Sequence, residues 1–328
     1  MLDNNLIFLI SQPRAGSTLL QRILGSHPEV HTISEPWLML HPLYALRDQG
    51  LKAEYSHPLY QLGLQEFLAN ISPEAPESVY YEGIRRMYGY LYEQALSITG
   101  KRFFLDKTPR YYLIIPELQR TFPKAKFIIL IRNPLAVLSS MIKTWTEGDW
   151  FWFSGTGKRL DLLSAPTLLM QGVNMLGNSC IVVHYEDLIA SAEETIKKIT
   201  EFLEIAYSSQ IINYGNHDLP RWKYGDQNNV YNHKSPNSEN IQEWSKHIDG
   251  PQTWRLMDEY LPTLGRELIE EMGYSFDESQ KILLDHKPKR QGRLTLSLPF
   301  LLKTEDERTF AERNLVRWLK GNKLLAKS

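Results

Sequence analysis

The sequence predicts an α/β protein built on a central parallel sheet flanked by helices, with a C-terminal helical appendix. Three observations predict it. Short, continuous apolar runs stand at Leu6–Ile10, Phe103–Leu105, Phe127–Ile131 and Ile181–Val183, the signature of strands covered by helices on both faces. Segments of helical periodicity alternate with them, as in consecutive βαβ units. The 328 residues are 42% hydrophobic and 23% charged, ordinary globular values that allow a sizeable core.

The first strand, Leu6–Ile10, runs into a turn at Gln12–Gly16 and then a helix. Leu19, Leu20, Ile23 and Leu24 share one face of that helix, which ends near Gly25 and Pro28. A short strand, His31–Ser34, follows, and residues 40–99 read as helix-rich, with tyrosines at 80, 81, 88, 90 and 92. Beyond Phe127–Ile131, Asn133 caps a helix that has Pro134 at its first position. Its core stripe is Leu135, Leu138, Met141, Ile142 and Trp145, with Ala136, Ser140 and Lys143 opposite. Residues 145–172 read as an irregular connection containing Gly155 and Gly157, and residues 213–240 as a long loop. The basic stretch 285–293 reads as a linker, so residues 1–280 are expected to form one domain and 281–328 an extension packed on it. In the extension, Phe310, Leu315, Val316, Trp318 and Leu319 form the expected docking face of a helix.

Lys plus Arg number 37 against 38 Asp plus Glu, so no overall basic field points to nucleic acid. A single cysteine, Cys180, excludes an internal disulfide and a cysteine zinc cluster, and it reads as core. The nine histidines show no metal-ligand spacing, so no metal is expected. The N-terminus lacks the pattern of a signal peptide, and no apolar run approaches the roughly 20 residues that span a bilayer. A cytoplasmic, soluble protein is expected, with a homo-oligomer left open.

The chemistry begins at Pro13-Arg14-Ala15-Gly16-Ser17-Thr18. A strand, a tight loop and a helix aim backbone N–H groups and the positive end of a helix dipole at an anion, which makes the domain P-loop-like. Gly16 permits close approach, Ser17 and Thr18 add hydroxyls, and Arg14 adds a fixed charge. A Walker lysine is missing, and no acidic strand end stands ready to hold magnesium. The logic recurs at Arg132, at the carboxyl end of its strand, with Ser140 on the polar face of the next helix. Ligands of open parallel sheets sit beyond those strand ends.

Together the two segments resemble the sulfotransferases that use 3′-phosphoadenosine-5′-phosphosulfate (PAPS), including the protein-tyrosine and bacterial members. The resemblance spans roughly residues 5 to 275. It implies that Arg14, Ala15, Gly16, Ser17 and Thr18 cradle the 5′-phosphosulfate, and that Arg132 and Ser140 bind the 3′-phosphate. It places Tyr185, in the segment Tyr185-Glu186-Asp187-Leu188, near the nucleotide, and Lys234 in a loop running from Gly225-Asp226 to Trp244 that covers it. Gln227 stands where the family often has proline. The segment Asp106-Lys107-Thr108-Pro109 resembles one whose lysine points at the transferring group, with Asp106 as the expected partner of Lys107.

The implied reaction is in-line transfer of a sulfuryl group from PAPS to a hydroxyl or amine acceptor, without metal and leaving 3′-phosphoadenosine-5′-phosphate. Arg14 and Lys107 form the electrophilic set. Glu35, at the end of the His31–Ser34 strand and held extended by Pro36, is the expected general base, with His41 and His184 as alternatives. The aromatics Trp145, Trp150, Phe151, Trp152 and Phe153 are candidates for an acceptor pocket or for core packing. Two other functions stay open, a metal-dependent small-molecule phosphotransferase and a nucleotide-binding adaptor without catalysis.

Overall fold

The computed structural model describes residues 2–48, 50, 52–145, 156–217, 233–236, 243–248, 250–289, 295–303 and 306–322. Five strands among them form one sheet: β1 (Leu6–Ser11), β2 (Val30–Ser34), β3 (Phe103–Lys107), β4 (Lys126–Ile131) and β5 (Cys180–His184). All pair in parallel, in the order β2–β3–β1–β4–β5. The helices that position the site or cover the sheet are α1 (Ser17–Gly25), α2 (His57–Ile71), α3 (Pro76–Thr99), α4 (Pro134–Trp145) and α5 (Ala165–Leu176). Further along come α6 (Tyr185–Ala190), α7 (Ala192–Leu203), α8 (Pro251–Leu264) and α9 (Phe310–Asn322).

β1 is buried along its whole length because it is the central strand and both of its faces are covered. Alternate residues serve opposite layers, as the pleat requires. Leu6, Phe8 and Ile10 join Phe104, Phe127 and Ile129 under Tyr92 of α3 and Leu169 of α5. Ile7 and Leu9 join Leu105, Ile128 and Leu130 under Leu20 and Ile23 of α1 and Ile196 and Ile199 of α7. The chain leaves β1 toward β2 and β3 on one side and crosses to β4 and β5 on the other. A crevice therefore opens beyond the carboxyl end of β1.

A third apolar cluster lies away from the sheet, where Leu135, Leu138 and Met141 of α4 meet Leu256, Met257 and Tyr260 of α8. Leu298, Leu301, Val316 and Leu319 from the C-terminal segment complete it. The buried stripe of α9 is narrower than its sequence pattern: Phe310 is 78% and Trp318 54% exposed. Residues 156–176 correct the expectation of an irregular connection. A short helix, Thr156–Arg159, passes through a π-helical turn, Leu160–Ser164, into α5. Gly155 and Gly157 suggest a loop, yet Asp161, Leu162, Ala165 and Leu169 are buried at helical spacing. No helix among the described residues is long and apolar enough to cross a membrane.

Leu319 is 1% exposed, so Leu319→Ala is expected to lower unfolding stability by about 2–4 kcal/mol in urea denaturation. Phe310→Ala should change it by about 0.5 kcal/mol or less.

Candidate active site

The carboxyl ends of the five strands open on a cleft of about 540 Å³. On its floor the β1–α1 turn adopts left-handed backbone at Arg14, with φ of 70°, and at Gly16, with φ of 99°. A non-glycine residue seldom takes that conformation without surrounding structure to enforce it. The Ala15 amide donates to the Gln12 carbonyl at 3.1 Å and closes the turn. A Cβ on Gly16 would sit 2.4 Å from the Tyr185 ring, so glycine is required both by φ and by close approach. The first intrahelical bond of α1 runs from the Leu19 amide to the Gly16 carbonyl at 3.0 Å. The amides of Ser17 and Thr18 precede it at the positive end of the helix, and both residues line the cleft.

The β4–α4 corner stands beside this loop and is bonded to it. Arg132 Nη1 donates to the Arg14 carbonyl at 3.0 Å, and Arg14 Nε donates to Ser140 Oγ at 3.2 Å. The Arg132 guanidinium lies 4.2 Å from the centroid of the Tyr185 ring. Its Nε is buried with no acceptor among the described residues, which fits an oxyanion at that point. Asn133 Oδ1 accepts from the Leu135 amide at 2.9 Å and caps α4. Glu186 holds the Asn133 amide at 3.1 Å and accepts from the Tyr274 hydroxyl at 2.7 Å.

Two cationic strand-to-helix corners joined in one cleft are what the sulfotransferase signatures require of a structure, and comparison with known proteins decides the family. Residues 6–209 match the sulfotransferase family. The chain is 31% identical over 232 residues to a putative protein-tyrosine sulfotransferase of Caenorhabditis briggsae, covering 67% of this chain and 72% of that one. It is 37% identical over 142 residues to nodulation protein NoeE of Sinorhizobium fredii, 42% of this chain but only 31% of that protein. Among solved structures, the sulfotransferase domain from the curacin biosynthetic pathway shares the fold, with a TM-score of 0.53 at 19% identity over 82% of this chain and 97% of that domain.

This chain belongs to the sulfotransferase family.

The other side of the sulfotransferase's cleft lies at β2 and β3 and carries Glu35 and Arg110 on its wall. Glu35 follows β2, is 14% exposed and lines the cleft. Lys107, fully buried behind it, donates from Nζ to Glu35 Oε1 at 3.0 Å. The Glu35 amide donates to the Lys107 carbonyl at 2.8 Å, so backbone and side chain fix the same pair. Glu35 is not extended as expected from Pro36: it and Trp37 carry φ of 49° and 57°, two left-handed non-glycine residues at one corner, where the bond from the Glu35 amide to Lys107 fixes the turn. Asp106 does not bond Lys107 as expected, because successive strand residues face opposite ways. Instead it accepts from Tyr92 at 2.6 Å, Thr108 at 2.7 Å and Tyr111 at 3.3 Å. Tyr111 in turn accepts from the Met39 amide at 3.0 Å, tying this buried cluster to the segment after Glu35.

Several expected site residues stand elsewhere. Ala15 is packed in the α4–α8 cluster, not on the cleft wall. Lys234 is exposed, and its carbonyl accepts from the Gly215 amide at 3.0 Å, while its neighbours His233 and Ser235 line the cleft. His41 is exposed and away from the wall; the His184 ring bonds the Met272 carbonyl at 3.0 Å. Trp145 lines the cleft, whereas Trp150, Phe151, Trp152, Phe153 and the Gly225-Asp226 segment lie outside the described residues. Sequence reasoning missed Arg110, Tyr214 and His247 on the wall. Only Arg110 had a signal, three residues past Lys107 at the same strand end. Among the described residues no group of three or more His, Cys, Asp or Glu is placed to hold a metal.

Burial pushes the Asp106 carboxyl up to about 6, against hydrogen bonds from Tyr92, Thr108 and Tyr111 and the charge of Lys107. The folded protein therefore holds this proton more tightly than the unfolded chain, whose carboxyl titrates near 3.8. That contribution to stability is complete below the unfolded value and is lost as pH rises through about 6. Relative to Asp106→Asn, the wild type is expected to lose up to about 3 kcal/mol between about pH 4 and pH 7, measured by denaturant unfolding at each pH. A difference that does not change with pH would show that Asp106 does not titrate there.

Proposed function

We propose that this sulfotransferase uses PAPS as donor and moves its sulfuryl group to a hydroxyl acceptor by in-line displacement, with Glu35 as general base. The observation that carries the proposal is the join between the two anion corners, Arg132 to the Arg14 carbonyl and Arg14 to Ser140. Anion sites bonded to one another in one cleft suit a single ligand with a charged group at each end. Arg14 and the Ser17 and Thr18 amides hold the phosphosulfate end, and Arg132 and Ser140 hold the 3′-phosphate, with Tyr185 beside the nucleotide.

When bound, PAPS supplies an activated sulfuryl group and a phosphate leaving group. The chain supplies position and charge. Glu35 takes the proton from the acceptor hydroxyl as its oxygen bonds to sulfur. Lys107, fixed on the other side of that carboxylate, orients it and keeps a positive charge beside the reacting centre. Arg14 and the loop amides meet the charge that grows on the departing phosphate oxygen, as donors placed in advance do in phosphoryl transfer.

Without metal, 3′-phosphoadenosine-5′-phosphate at about 100 times its Kd should stabilise the fold by about 2.7 kcal/mol, measured by thermal unfolding. ATP with magnesium should do much less; the reverse pattern would favour a phosphotransferase. Glu35→Gln is expected to keep nucleotide binding and lower transfer at least about a hundredfold, measured with labelled donor on an acceptor panel. Near-normal transfer would remove Glu35 from the mechanism.

A further inference from the structure

The cleft has a direction. Neighbouring strands lie about 4.8 Å apart, so the ends of β2 and β5 stand four spacings, roughly 19 Å, from each other. The corners assigned to the nucleotide occupy β1, β4 and β5. The ends of β2 and β3 are left for the acceptor, and there Glu35 is joined by Arg110 on the cleft wall.

Arg110 is held in an unusual way for a wall residue. Nε donates to Asp161 Oδ1 at 2.8 Å and Nη2 donates to Oδ2 at 2.5 Å. Asp161 is fully buried, accepts a further bond from the Tyr112 hydroxyl at 2.8 Å, and has its carbonyl held by Gln12 Nε2 at 2.7 Å. Trp37 lies 5.8 Å from the guanidinium. Burial works against the charge of Arg110, yet the bonds to Asp161 outweigh it and raise the pKa, with Glu35 close enough to contribute. The carboxylate occupies one edge of the guanidinium and fixes its plane. Nη1 has no acceptor among the described residues, and the side chain remains 31% exposed.

We propose that Arg110 reads an anionic group on the acceptor, a carboxylate or similar oxyanion carried near the hydroxyl that Glu35 activates. The assignment rests on the direction of transfer given above. A guanidinium locked along one edge presents its remaining N–H groups in a fixed plane, which suits a planar oxyanion. Asp161 acts through Arg110 and is a positioning residue.

The test compares p-hydroxyphenylacetate with p-hydroxyphenylacetamide, and an aliphatic hydroxy acid with its amide. Binding to the full chain is measured by calorimetry with and without 3′-phosphoadenosine-5′-phosphate. Each carboxylate should bind at least about tenfold more tightly than its amide, the worth of one charged hydrogen bond. In Arg110→Gln combined with Asp161→Asn, which leaves neither charge stranded, the ratio should fall to about one while nucleotide affinity is kept. Arg110→Lys, which keeps a charge opposite Asp161, should retain a weakened preference and serves if the double variant does not fold. Equal binding of acid and amide to the wild type, or a preference that survives either replacement in full, overturns the proposal. Failure of the wild type to bind the nucleotide counts against the donor assignment instead, because the acid–amide comparison is also made without it.

Discussion

The site depends on the bond from Arg132 to the carbonyl of Arg14. That carbonyl is available because Arg14 holds a left-handed backbone, a conformation few non-glycine residues keep without support. Arg132 supplies the support from the neighbouring strand, and the Tyr185 ring packs against the Arg132 guanidinium and against Gly16. One cation thus braces the loop after β1 and orders its own corner, while its Nε stays buried with no acceptor among the described residues. Loss of this contact would loosen both corners together, since the Arg14 side chain reaches Ser140 from the same residue.

The other half of the cleft is arranged by buried charge. A fully buried lysine is tolerated only where a carboxylate answers it, and Glu35 does so at 3.0 Å. Asp161 is equally buried and is answered by Arg110. Each pair has one member sealed in the protein and one at the cleft wall, so the sealed charge orients the accessible one. The Asp106 cluster stands behind them and ties β3 to the segment after Glu35 through Tyr111 and the Met39 amide. Rigid strand ends and crossed backbone bonds give the two left-handed residues, Glu35 and Trp37, the surroundings that such conformations need.

Much of the proposed nucleotide side was legible in the sequence because its signals are local. A strand, Gly16 in the turn, hydroxyls in the first helical turn and an arginine at a second strand end all lie within short stretches. The strands were legible for the same reason, since a run such as Phe127–Ile131 needs no partner to be recognised. Residues 156–176 read as irregular because Gly155 and Gly157 stand beside a run of aromatics, whereas burial of Leu162 and Leu169 decides for helix. The outer residues of α9 were overread, because an apolar side chain does not say how wide the surface beneath it is.

By itself the sequence determined the order of the strands and the residues at their carboxyl ends, with Arg14, Glu35, Lys107 and Arg132 among them, all set by backbone preference and short-range pattern. Pairing across the fold was decided only in three dimensions. Lys107 chose Glu35 over the adjacent Asp106 because side chains alternate along a strand and the parallel register sets β2 beside β3. Arg110 and Asp161 stand 51 residues apart in the chain and meet only because the π-helical turn brings the acid under the end of β3. Local pattern chooses which groups a strand end presents. Packing of distant elements chooses which charges are buried, and so which way the exposed ones point.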